Sequence, residues 1–177
     1  MSEDWDFYPL LVDGEPASIF FDLGLAADAP ILGQPYMSYV RVFMREPRPG
    51  GLSSQKEFDS LIGIERSLEA SLGSSRDVTY VGRNTSSGNR DFYFYSAQPD
   101  ALEDLIRSAM SDHSDYLFEI GQRHDPDWDV YFRFLYPRPE DLQMIMNRRV
   151  LENLASHNDD HSIARVIDHR AYVPSLE

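Results

Sequence analysis

Apolar positions along the chain recur either at every second residue or at helical spacing, and the switches between the two periods cut it into short elements. An aromatic-rich segment, Trp5 to Leu11, leads into Asp13-Gly14, where glycine supplies the positive φ of a tight turn. Ala17 to Phe21 returns, so the pair reads as a hairpin. Gly24 to Gln34 shows no period and reads as a loop ending at Pro35. From Tyr36 to Met44 the residues alternate, with Val40, Val42 and Met44 on one face and Tyr39, Arg41 and Phe43 on the other, which predicts a strand. The Pro47 to Gly51 stretch breaks it.

Ser54 followed by Glu57 has the form of a capping box and Gly73 that of a helix stop, so a first helix is expected over 55–72. Its apolar side carries Phe58, Leu61, Ile62, Leu68 and Leu72, with Glu65 in the middle. Val78 to Asn84 and Arg90 to Tyr95 read as strands joined by a polar loop. Pro99 opens a second helix, with Leu102, Leu105, Ile106, Ala109 and Met110 on one side. Tyr116 to Gln122 reads as a strand, Asp125-Pro126-Asp127 as a turn, and Trp128 to Tyr136 as a returning strand. Pro139 opens a third helix with Leu142, Ile145, Met146, Val150 and Leu154 on its apolar side, shared with Arg149 and Asn153. A last strand is expected from Arg165 to Val173.

These elements predict an α+β fold: one mainly antiparallel sheet built from hairpins, with about three helices on one face. The order from Tyr36 to Gln122 reads as a ferredoxin-like βαββαβ module extended by extra strands. An offset of 40 residues sets Pro99 against Pro139, Phe92 against Phe132 and Phe94 against Phe134, and suggests that a strand, hairpin, strand, proline, helix unit occurs twice. Trp128 and Arg133 depart from that repeat and stand out as specific to the second copy.

At 177 residues the chain is about one domain long, and with 42% hydrophobic and 26% charged residues it should bury a core. It has no cysteine, which excludes disulfides, thiol catalysis and cysteine-based zinc sites. No apolar run reaches the ~20 residues needed to cross a bilayer, and the N-terminus lacks a basic signal region, so no membrane attachment and a cytoplasmic location are expected. Thirty acidic against sixteen basic residues give a formal charge of −14. That field disfavours direct binding to nucleic acid and favours a protein partner with a basic surface.

No motif assigns a catalytic, cofactor-binding or metal-ligating residue. His157 to His161 gathers imidazoles and carboxylates but reads as a helix end fraying into a loop, without the rigid frame a metal needs. Asp125, Asp127 and Asp129 alternate as in a calcium loop, yet the glycine and distal glutamate of that motif are missing. The Phe92 to Tyr95 aromatics suggest an RNA-binding sheet, which the charge opposes. Glu65 is the best single carboxylate for acid–base chemistry; its bland alternative is an ion pair with Arg41 or Arg83.

Trp5 and Tyr8, Leu61 with Ile64-Glu65, and Gly82-Arg83 followed by Arg90 to Tyr95 resemble the bacterial domain-of-unknown-function family six-nine-five. Asp141 to Leu154 with Asp159-Asp160, Arg165 and Asp168-His169 is similar to the N-terminal half of the regulator of ribonuclease E activity, type B. That second resemblance implies an acidic regulator that binds and inhibits an endoribonuclease, but the chain stops after one helix and one strand of the pattern. The resemblances divide the chain into a domain over 1–135 and a helix–strand extension over 136–177 on the same sheet.

The resulting expectation is a non-enzymatic protein-binding or regulatory module without a cofactor. The alternative is a small-molecule hydrolase centred on Glu65. The residues singled out are Glu65, Arg83, Tyr93, Trp128, Arg133, Asp159, Asp160, Arg165, Asp168 and His169. A homodimer through an exposed edge strand is compatible with either reading.

Overall fold

A computed structural model describes residues 2, 4–12, 14–72 and 77–157. The first hairpin pairs β1 (Trp5–Val12) with β2 (Glu15–Asp22), with Gly14 at φ +83° in the turn. Then come β3 (Tyr36–Phe43), α1 (Gln55–Leu72), β4 (Val78–Ser86), β5 (Asn89–Ser96), α2 (Pro99–Met110), β6 (Phe118–His124) and α3 (Pro139–Ser156). The six strands form one sheet in the order β1-β2-β4-β5-β3-β6, antiparallel at every pairing. The fold is therefore α+β, with β1 and β6 at the edges. The strand expected at Arg165 to Val173 lies outside the described residues.

Period-2 alternation splits the central strands between two cores. On the first face Val40, Val42, Phe92, Phe94 and Tyr80 pack with Leu61, Ile64 and Leu68 of α1 and with Leu102, Ile106 and Met110 of α2. On the second face Tyr8, Ile19, Phe21, Met37, Tyr93 and Tyr95 pack with Trp128, Tyr131, Leu135 and Ile145. Helical elements thus cover both faces, where the sequence pattern implied one. Tyr93 and Tyr95 are buried on the second face as Phe92 and Phe94 are on the first, Tyr93 the least deeply of the four, so the consecutive rings serve two cores at once.

The largest departure is at Trp128 to Tyr136, which is helical and not a strand. Val130–Leu135 forms a wide π turn, closed by the Tyr136 N–H donating to the Tyr131 carbonyl at 2.7 Å. Phe132 and Phe134 are each 36% exposed on this turn, whereas Phe92 and Phe94 are buried in a strand. The offset of 40 is therefore a coincidence of residue type and does not mark a structural repeat.

The capping box at α1 also fails to close. Glu57 accepts hydrogen bonds from the Arg45 and Glu46 N–H groups, at 2.6 and 2.9 Å, and so ties the end of β3 to the helix. Ser54 Oγ is buried without a partner.

In α3, Asp141 and Ile145 are buried while Met146 and Val150 are exposed. Arg149, out of place on an apolar stripe, reaches Asp6 of β1 with Nε at 2.6 Å and Asp4, just before the strand, with Nη2 at 2.7 Å; Arg148 also pairs with Asp6. The helix is therefore docked as much by charge as by burial. Among the described residues no helix is long and apolar enough to cross a membrane.

Candidate functional site

The second face is covered by the π turn, by α3 and by the 3-10 turn Gly24–Ala27, and a cavity of about 570 Å³ opens beside this cover over β5, β3 and β6. That size lies in the range of small-molecule sites. Its floor follows from strand register. One row sets Arg123, Met37 and Tyr95 side by side, the next Gly121, Tyr39 and Tyr93, and the third Glu119, Arg41 and Asp91. Val130, Arg133, Phe134 and Asp129 form the wall.

The aromatic part of the floor depends on a missing side chain. A Cβ on Gly121 would collide with Cε1, Cζ and Oη of Tyr39, so the glycine lets that ring lie across β6. Tyr93 packs at 6.4 Å from the Tyr39 ring and edge-on to Phe134 at 5.7 Å.

At one end Arg41 forms a two-point ion pair with Asp91, at 2.9 and 2.8 Å, and this carboxylate holds the guanidinium firmly protonated. Tyr93 Oη donates to the same carboxylate at 3.3 Å, and burial together with Asp91 pushes the phenol well above its ordinary pKa. Tyr93 is thus a fixed hydrogen-bond donor that keeps its proton and is a poor acid.

At the other end the arginines are less committed. Arg133 is paired with Asp129 at 3.0 Å, one helical turn away, yet its side chain is 79% exposed. Arg123 approaches Asp125 only to 3.5 Å, and Asp125 already has better partners. It accepts from Tyr95 Oη at 2.6 Å and from the Val130 and Asp129 N–H groups at 3.0 and 3.1 Å. Burial opposes ionisation of Asp125, but these donors and Arg123 outweigh it and hold the carboxyl below its ordinary pKa. Three arginines and two aspartates line the cavity, with Asp125 beside Arg123 and Glu119 beside Arg41, and the most exposed of its cations are Arg123 and Arg133.

The wall is built rigidly. Trp128 sits at φ +56°, a left-handed conformation that costs a bulky residue about 1–3 kcal/mol. It is held there by stacking on Tyr95, with centroids 4.0 Å apart and planes at 9°, and by Nε1 donating to the Gln34 carbonyl at 2.9 Å. Tyr131 Oη anchors the same turn to the Asp22 carbonyl at 2.7 Å.

Of the residues singled out from the sequence, Tyr93 and Arg133 meet in this cavity, and Trp128 supports it from the core. Glu65 and Arg83 lie elsewhere, beneath α1 on the first face. Glu65 is 6% exposed, pairs with Arg83 and accepts from Tyr80 Oη at 2.8 Å. That is the ion pair named as its bland alternative, and it leaves no open carboxylate for acid–base work. Asp159, Asp160, Arg165, Asp168 and His169 lie outside the described residues. Asp125, Asp127 and Asp129 do not converge, and among the described residues no cluster of three or more His, Asp or Glu could hold a metal ion.

Sequence reasoning missed Tyr39, Arg41, Asp91, Arg123 and Phe134. Alternation placed Tyr39 and Arg41 on one face of β3, but their neighbours become visible only through strand register. Gly121 was the one local signal, a small residue in a strand where something lies close.

No curated protein and no solved structure matches the chain. One family does, over residues 3–136, a span that holds the whole sheet and the π turn and stops before α3. It takes in only the first residue of the 136–177 segment likened to a ribonuclease regulator. With most of its length inside that match, the chain belongs to the family of unknown function DUF695.

Proposed function

We propose that the protein is a non-enzymatic binding module whose working site is the cavity over β5, β3 and β6, and that it recognises an anionic group there. The supporting observation is Arg123. Its nominal partner Asp125 is 3.5 Å away and already accepts from a hydroxyl and two backbone N–H groups, so the guanidinium is only loosely held, and Arg133 lines the same cavity. A guanidinium fork matches a carboxylate or a phosphate in two-point geometry. The groups that resemble an acid–base pair are otherwise engaged: Asp91 is locked to Arg41, and Tyr93 keeps its proton.

In this reading the protein acts by coupling ligand binding to a protein partner in the cytoplasm, and its formal charge of −14 favours a basic partner surface. The test is an NMR titration with benzoate, phenyl phosphate and inorganic phosphate. Saturable shifts at Arg123, Arg133 and the 37–41 backbone are expected for at least one anion, and their loss in Arg123→Gln/Arg133→Gln. Titrations in which no anion moves these signals would end the proposal.

A further inference from the structure

The cavity is asymmetric. Its interior is aromatic: Tyr93 is 9% exposed, Tyr39 lies flat over Gly121, and Phe134 meets Tyr93 edge-on. Its cationic groups divide into a closed set and an available one. Arg41 is held by Asp91 at two points, and Glu119 stands beside Arg41 in the cross-strand row, so that end repels an anion. Arg123 and Arg133, with side chains 54% and 79% exposed, stand at the opposite end. An exposed ion pair such as Arg133–Asp129 is worth little and can be exchanged for a ligand.

A bare inorganic anion would leave most of about 570 Å³ unfilled and the rings without a role. A neutral aromatic would leave the two arginines unused. Resting on the function proposed above, we infer that the ligand is a small aromatic acid. Its flat ring is seated among Tyr39, Tyr93 and Phe134, and its carboxylate or phosphate is gripped by Arg123 and Arg133. Gly121 is the specificity-determining position, because a side chain there would drive the Tyr39 ring into the space the ligand's ring needs.

The probes are 2-naphthoate, 2-naphthyl phosphate, 2-naphthol, inorganic phosphate and a glutamate-rich peptide, each titrated into the full chain by calorimetry and NMR. The two naphthyl acids are expected to bind at least tenfold more tightly than inorganic phosphate and than 2-naphthol, and the tighter of them identifies the acid. Arg123→Gln/Arg133→Gln should weaken both at least tenfold. Gly121→Ala should weaken the naphthyl acids at least fivefold while leaving inorganic phosphate unchanged. Tyr39→Ala reads the same loss of ring contact should the glycine variant fail to fold. Inorganic phosphate binding as tightly as naphthyl phosphate would overturn the aromatic-acid inference and leave the anion site standing. Binding of the peptide along β6 with no response to the naphthyl acids would likewise overturn it. Silence of every probe would remove the anion site as well.

Discussion

Replacing Asp125 by Asn tests whether one buried carboxylate sets up the wall of the site. The carboxylate accepts three hydrogen bonds of 2.6 to 3.1 Å, from Tyr95 Oη and from the N–H groups of Asp129 and Val130 that start the π turn. Hydrogen bonds to a charged acceptor are worth about 1.5–3 kcal/mol each. An amide keeps one oxygen as acceptor but turns its NH2 toward a donor, so at least one bond is lost and one buried donor is left unmet. The expected cost is about 2–4 kcal/mol, or about 5–15 °C in Tm for a chain of this size. Urea and thermal unfolding at neutral pH measure it.

The pH dependence supplies an internal check. Asp125 has its folded pKa held below the ordinary 3.8, so its contribution is fully present above that value and is lost as the pH falls through the lowered folded pKa. The gap between wild type and Asp125→Asn should therefore be constant from pH 7 to 5 and narrow below 3.8. A gap under about 0.5 kcal/mol at pH 7, or one that widens in acid, would refute the role given to this carboxylate.

Trp128→Ala should cost about 3–5 kcal/mol by denaturant unfolding, since it removes a fully buried ring and leaves a left-handed residue without the stacking that holds it. Glu65→Gln should cost about 3 kcal/mol by removing the charge partner of the half-buried Arg83, while Glu65→Leu with Arg83→Met should recover much of it. Anion binding in the cavity should be unchanged in both variants. Arg90 is 3% exposed, its Nη1 has no partner, and burial lowers its pKa to about 10. Arg90→Met should therefore leave stability unchanged or raise it by about 1 kcal/mol, read from the same unfolding curves.

How much of this was legible in the sequence depended on the range of the forces involved. The 55–72 helix and the helix starts at Pro99 and Pro139 were read correctly, because apolar spacing and proline at the first turn act within a few residues. Trp128 to Tyr136 was misread because valine, tyrosine and phenylalanine in succession favour a strand. What overrules that preference is remote: Tyr95 stacks on Trp128 and donates to Asp125, and Gln34 accepts from the indole. Asp125 was the local clue, a carboxylate placed to receive the first N–H groups of a helical turn. Glu65 was correctly marked as a buried charge needing a partner, though sequence alone could not choose between Arg41 and Arg83. Arg41 belongs to the opposite face, where Asp91 of the neighbouring strand takes it. The cavity was hidden for the same reason, since its rows combine residues 37–41, 91–95 and 119–123 and exist only once the register is known.

The most direct measurement is a crystal structure of the protein grown with 2-naphthyl phosphate. The ring should lie against Tyr39, Tyr93 and Phe134, with phosphate oxygens within hydrogen-bond distance, about 2.7–2.9 Å, of Arg123 and Arg133. A phosphate bound elsewhere, or a cavity over β5, β3 and β6 left empty while the compound binds another surface, would contradict the assignment of this site.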